Sequence, residues 1–213
     1  MAKLGILMLD TRFPRILGDV GNPDSFEFPV RYGVVPGATP EAIVQGDPTR
    51  FIAQFIQAGR ALVAGGCTGL STTCGFLTLV KSEVEDACGV PVVSSALEQA
   101  AHVPAPGILT ISAVDLSPAH LARARVPEST PVKGVDGGSF AASILGNEQT
   151  LDVEAARAEI IVGADALCAA NPHVQSIILE CTNMPPYAED VARQTGRKVY
   201  SILTALNAFH AEI

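Results

Sequence analysis

Two apolar segments begin alike, at Gly5-Ile6-Leu7-Met8-Leu9-Asp10 and at Gly107-Ile108-Leu109-Thr110-Ile111-Ser112, 102 residues apart (107 − 5). Each is followed by alternating strand-like and helix-like segments, so the chain has the look of an internal duplication. In the first half, strands are expected at residues 3–10, 67–73 and 90–94, with a short extra one at 30–35. In the second half they fall at 107–112, 132–135, 176–180 and 198–202. Helical spacing or capping signals mark residues 51–63, 76–88, 95–102, 117–125, 152–170, 185–196 and 204–213. Repeated strand–helix alternation favours parallel sheets joined by right-handed crossovers. The expected fold is α/β, with two pseudo-symmetric flavodoxin-like half-domains and the active site in the cleft between them. Pro104-Ala105-Pro106 marks the junction. The last helix is expected to return to the first half, which gives half-domains of 1–103 plus 203–213 and of 104–202.

Composition narrows the partners. The 213 residues are 48% apolar and only 5% aromatic, as helix-covered parallel strands require. A net charge of −8 speaks against nucleic acid or an anionic membrane surface. No segment approaches the roughly 20 apolar residues of a membrane span, and the apolar run after Met1 ends at Asp10, too early for a signal peptide. A cytoplasmic protein is expected. The five cysteines form no C-x-x-C pair and are odd in number, which suits reduced thiols rather than a disulfide framework or a zinc site. No phosphate-binding glycine loop is present.

The cysteines carry the chemistry. Cys74 ends Leu70-Ser71-Thr72-Thr73-Cys74, and Cys181 ends Ile177-Ile178-Leu179-Glu180-Cys181, an offset of 107 (181 − 74). Each lies where a buried strand runs into a helix, at the carboxyl edge where open α/β sheets bind ligands. A free thiol has a pKa of roughly 8.5, and a helix N-terminus favours its anion. Two such groups on opposite faces of a bound carbon could remove a proton from one side and return one to the other. The backbone N–H groups of Gly75 and Thr182 and the hydroxyls of Thr73 and Thr182 are placed to hold a carboxylate or enolate-like oxygen. Asp10 and Arg12 (or Arg15) at the exit of the first strand, Phe76 and Asn183 beside the thiols, and Ser112 at the matching strand of the second half complete the candidate substrate site. Cys67 in Gly66-Cys67-Thr68 is the rival for the first thiol. Cys88 and Cys168 belong to helix faces, and the four histidines show no ligand spacing.

With these motifs the chain resembles the aspartate/glutamate/hydantoin racemase superfamily. Thr72-Thr73-Cys74-Gly75-Phe76 looks like its first cysteine motif, Glu180-Cys181-Thr182-Asn183 like its second, and Asp10 like its first-strand acid. Two positions depart. Gly75-Phe76 stands where the amino-acid racemases usually have Asn-Thr, and Asn183 where they usually have His or Glu. The resemblance implies a cofactor-independent racemase or epimerase, with Cys74 and Cys181 as its two bases and a small carboxylate as substrate. No metal and no organic cofactor are expected, and a homodimer is. The superfamily also resembles aryl-malonate decarboxylases and maleate isomerases, so a one-thiol decarboxylase or cis–trans isomerase, or a non-catalytic ligand-binding or redox-sensing relative, is the alternative.

Overall fold

The computed structural model describes residues 3–213; Met1 and Ala2 lie outside the described residues. The first half contains strands β1 (Leu4–Leu9), β2 (Val30–Val35), β3 (Gly69–Thr72) and β4 (Val92–Val93), with helices α1 (Ile52–Ala64) and α2 (Lys81–Cys88). The second half contains β5 (Pro106–Thr110), α3 (Pro118–Arg123), β6 (Val132–Gly134), α4 (Ser139–Leu145), α5 (Val153–Ala170), β7 (Ser176–Leu179), α6 (Ala188–Thr195) and β8 (Lys198–Tyr200), and α7 (Ile202–Glu212) ends the chain. The strands form two four-stranded parallel sheets, ordered β2-β1-β3-β4 and β6-β5-β7-β8. The α/β class and the doubled arrangement therefore stand.

Register makes the equivalence of the halves concrete. Gly5 of β1 pairs with Leu70 of β3, and Gly107 of β5 pairs with Ile177 of β7. Leu70 and Ile177 each lie four residues before their cysteine. All eight residues of β3 and β7 are buried, so both central strands carry helices or the opposing half on each face.

Local sequence explains most element ends. Asp152 accepts from Ala155 N–H at 3.0 Å and caps α5. Gly89 and Gly196 end α2 and α6 in the left-handed conformation. Ser95 and Glu98 form a reciprocal capping box. The turns after the strands depart from expectation: residues 75–80 and 96–102 are 3₁₀ rather than α-helical. The short helix α4 was not expected at all. It sits between Gly138 and Gly146 and buries Phe140, Ala141 and Ile144. Helix α7 packs on β4 and the turn before β5, and also on β8. Phe209 of α7 lies against Gly69, where a Cβ would come within 2.7 Å of its ring. Among the described residues, no helix is long and apolar enough to cross a membrane.

Candidate active site

The two sheets direct β3 and β7 at each other, and the loops leaving them meet. Thr182 donates its hydroxyl to the Thr73 carbonyl at 2.7 Å, and Thr73 Oγ1 accepts from Leu9 N–H at 2.9 Å. Thr72 Oγ1 reaches the carbonyls of Cys74 and Ser94, both at 2.9 Å. These bonds fix the segments that carry the thiols. Cys74 and Cys181 are buried in one cleft, together with Thr73, Gly75, Phe76, Glu180, Thr182 and Asn183.

The loop from Thr11 to Pro29 crosses to the second half. Asn183 Nδ2 donates to Asp19 Oδ2 at 2.6 Å, while Asp19 Oδ1 takes Arg15 at 2.9 Å and Gly21 N–H at 2.6 Å. Gly18, at a φ of +95°, passes so close to Pro186 that a Cβ would meet its Cα at 2.9 Å. Because the Asn183 amide N–H₂ points at Asp19, its carbonyl faces Cys181, whose thiol donates to it at 3.6 Å.

Electrostatics separates the two sulfurs. Burial and the nearby Glu180 push Cys74 up to about 12, opposed by the N–H groups of Phe76 and Leu77 and by Arg15. Cys181 is raised well above the ordinary thiol range by burial and by Glu180, with Cys74 and Asp19 adding to the rise, while the Asn183 N–H opposes it. Glu180 is itself raised to about 7 by burial, although Thr110 donates to its Oε2 at 2.8 Å. Its other oxygen, Oε1, is buried without a partner. Oε1 lies against Gly75, where a Cβ would also come within 2.8 Å of the Glu180 carbonyl and 2.9 Å of Ser95 Oγ. Glycine at position 75, one of the departures from the racemase pattern, is thus the residue that admits Glu180 to the cleft. Glu180 was not among the residues expected at the site.

Asp10, Arg12 and Ser112, in the loops that leave β1 and β5, do not line the cleft. Leu9, Thr11, Phe13 and Arg15 line it, and the residues between them do not. Asp10 accepts from Gly37 N–H at 2.9 Å, and Arg12 is exposed, with its N–H donating to Asn147. In the second half Ile111 faces the cleft, and Ser112 donates to Asp115 at 2.7 Å. Arg15, not Arg12, is the basic residue at the site. Cys67 lies before β3, at the far end of the strand from Cys74, and its N–H bonds Leu62 at 3.1 Å. Among the described residues no group of three or more His, Cys, Asp or Glu side chains is placed to hold a metal ion.

No protein-family model matches the chain. By sequence it is similar to dimethylsulfoniopropionate lyases. It is 29% identical to one from Durusdinium sp. clade D over 98% of the chain and 74% of that protein. It is 29% identical to lyase 7 of Emiliania huxleyi over 99% of the chain and 67% of that protein, and 28% identical to lyase 5 over 98% and 45%. The chain therefore spans between about half and three quarters of these relatives. By structure it is similar to allantoin racemase from Klebsiella pneumoniae (TM-score 0.65, 15% identity, covering 97% of this chain and 89% of the other). It is also similar to arylmalonate decarboxylase (0.57, 16%, 92% and 86%) and to glutamate racemase from Francisella tularensis (0.54, 15%, 93% and 75%). The likeness to the racemase family is one of fold. The expected racemase or epimerase activity, and with it the isomerase class, is corrected by the sequence relatives, which are lyases and match nearly the whole chain.

Proposed function

We propose that the chain is a β-eliminating lyase acting on a small carboxylate whose β-carbon bears a cationic sulfur, with dimethylsulfoniopropionate as the substrate. One observation carries this reading: the similarity to dimethylsulfoniopropionate lyases runs through 98–99% of the chain, both thiol-bearing strands included. The cleft suits the chemistry. Elimination needs one base for the proton beside the carboxylate, and the departing sulfide is neutral, so the leaving group requires no acid.

Cys74 is the base. Burial and Glu180 raise both thiols, but at Cys74 two backbone N–H groups and Arg15 oppose the rise, whereas at Cys181 a single N–H opposes it and Cys74, Asp19 and an amide carbonyl stand against the thiolate. Cys181 therefore stays a thiol. The N–H groups of Gly75 and Thr182 hold the substrate carboxylate and stabilise the charge that builds on it as the proton leaves. The Cys74 thiolate takes that proton. The C–H electron pair becomes the new carbon–carbon double bond, and the carbon–sulfur bond breaks with its electrons on sulfur. Acrylate and dimethyl sulfide result, and the Cys74 thiol later returns its proton to solvent. The substrate's cation also favours the thiolate, which burial and Glu180 oppose.

The test is proton NMR of the purified chain with dimethylsulfoniopropionate. Vinyl resonances of acrylate should grow in equal amount to the dimethyl sulfide formed. A substrate spectrum unchanged over hours at high enzyme concentration, with the fold intact, overturns the reading.

A further inference from the structure

Resting on the lyase activity proposed above, we infer that Glu180 is a specificity-determining residue which selects substrates carrying an onium centre, a sulfonium or quaternary ammonium. Glu180 is fully buried. It sits in the cleft directly before one thiol and packs against Gly75, the residue after the other. Thr110 satisfies Oε2, but Oε1 has no hydrogen-bond partner.

A carboxylate oxygen in that position is costly unless something offsets its charge. The one cation among the residues lining the cleft is Arg15, and its guanidinium is turned to other partners, Nη1 to Asp19 at 2.9 Å and Nη2 to Thr11 at 3.0 Å, with Nε buried and unpaired. The neighbouring wall is apolar, from Leu9, Phe13, Phe76, Ile144 and Leu145. That pairing of a bare carboxylate oxygen with apolar surface disfavours a primary ammonium, which would bring N–H donors needing several acceptors. An onium has no donors. Its charge is spread over methyl groups, which bury against aliphatic and phenyl surface while facing the carboxylate. A second carboxylate on the substrate meets repulsion at the same place, which disfavours the dicarboxylic acids the fold might otherwise accept.

Two uncleavable probes of matched shape decide it: 3-(trimethylammonio)propionate and its carbon isostere without the cationic centre, 4,4-dimethylpentanoate. Their dissociation constants are measured by calorimetry on the whole chain at pH 8. The wild type should prefer the ammonium probe by about tenfold or more, since the ion pair forms away from water. Glu180→Gln should bring the ratio close to one and leave the carbon isostere bound as before. A ratio unchanged in Glu180→Gln, or a wild type without the preference, overturns the inference. If that variant fails to fold, the wild type answers alone: the preference should fall between pH 8 and pH 6 as Glu180, raised to about 7, takes up a proton. The titratable and charged groups near it are the Cys74 and Cys181 thiols, both shifted upward, and the Arg15–Asp19 pair. A preference flat across that range overturns the inference. Retention of the preference without cleavage of dimethylsulfoniopropionate removes only the lyase reading; cleavage with a preference indifferent to Glu180 removes only this one.

Discussion

The Thr182 hydroxyl donates to the Thr73 carbonyl at 2.7 Å, so the residue after one thiol holds the residue before the other. Both are buried. Thr182→Val keeps the shape and deletes the donor, leaving a buried carbonyl unpaired. The expected loss is about 1–3 kcal/mol of stability, read from urea unfolding, together with slower turnover because the thiols lose their fixed spacing. Thr182→Ser should recover most of both. A fully stable, fully active valine variant would show that the contact does not set the cleft.

Asn183 links Cys181 to Asp19, accepting from the first and donating to the second at 2.6 Å. Asn183→Asp swaps the donor for another acceptor and sets two carboxylates face to face. Like charges at that range raise the pKa of one of them. The variant should be destabilised at pH 8 and recover as the pH falls and one carboxyl is protonated. Thermal unfolding across pH 5–8 measures it; a variant equally stable over that range contradicts the arrangement.

Glu180 in the folded chain sits near 7 because it is buried, against roughly 4.3 for a solvated glutamate. Between those values the folded chain keeps a proton that the unfolded chain has lost. Stability therefore falls as pH rises through that window, and the loss is complete above it. Glu180→Gln removes this penalty. At pH 8 it should raise stability by about 3–4 kcal/mol, an advantage that shrinks to little near pH 4. A glutamine variant less stable than wild type at pH 8 would mean that the carboxylate is compensated in the folded state.

The parts of this molecule written in local pattern were legible in its sequence. The strands that open with Gly5 and Gly107, and the strand ends before the two cysteines, follow from period and duplication, and the structure has a strand at each of these places. Less visible was which side chains a loop turns inward. In the loop that leaves β1, residues 11, 13 and 15 line the cleft, so Arg15 enters it and Arg12 does not. The prolines and glycines of that segment masked this. Glu180 had a signal too, an acidic residue closing the otherwise apolar run Ile177-Ile178-Leu179. Its meaning depends on Gly75, from the other half of the chain, and only the folded structure brings the two together. Helix α4 was lost because seven residues between glycines give too little periodicity to recognise. The reaction class was the largest error. Two facing thiols fit inversion as well as elimination, and the choice depends on what the substrate's β-carbon carries rather than on the motifs.

The most direct measurement is the rate of dimethyl sulfide release from dimethylsulfoniopropionate by the wild type, Cys74→Ser and Cys181→Ser, followed in the headspace at one pH. An alcohol is a far weaker acid than a thiol, so losing the base should slow Cys74→Ser by about 10²–10⁴-fold. Cys181→Ser keeps a neutral donor toward Asn183 and should retain a much larger share of the activity. The opposite order, with Cys181→Ser inactive and Cys74→Ser near wild type, would contradict the assignment of Cys74 as the base that drives elimination.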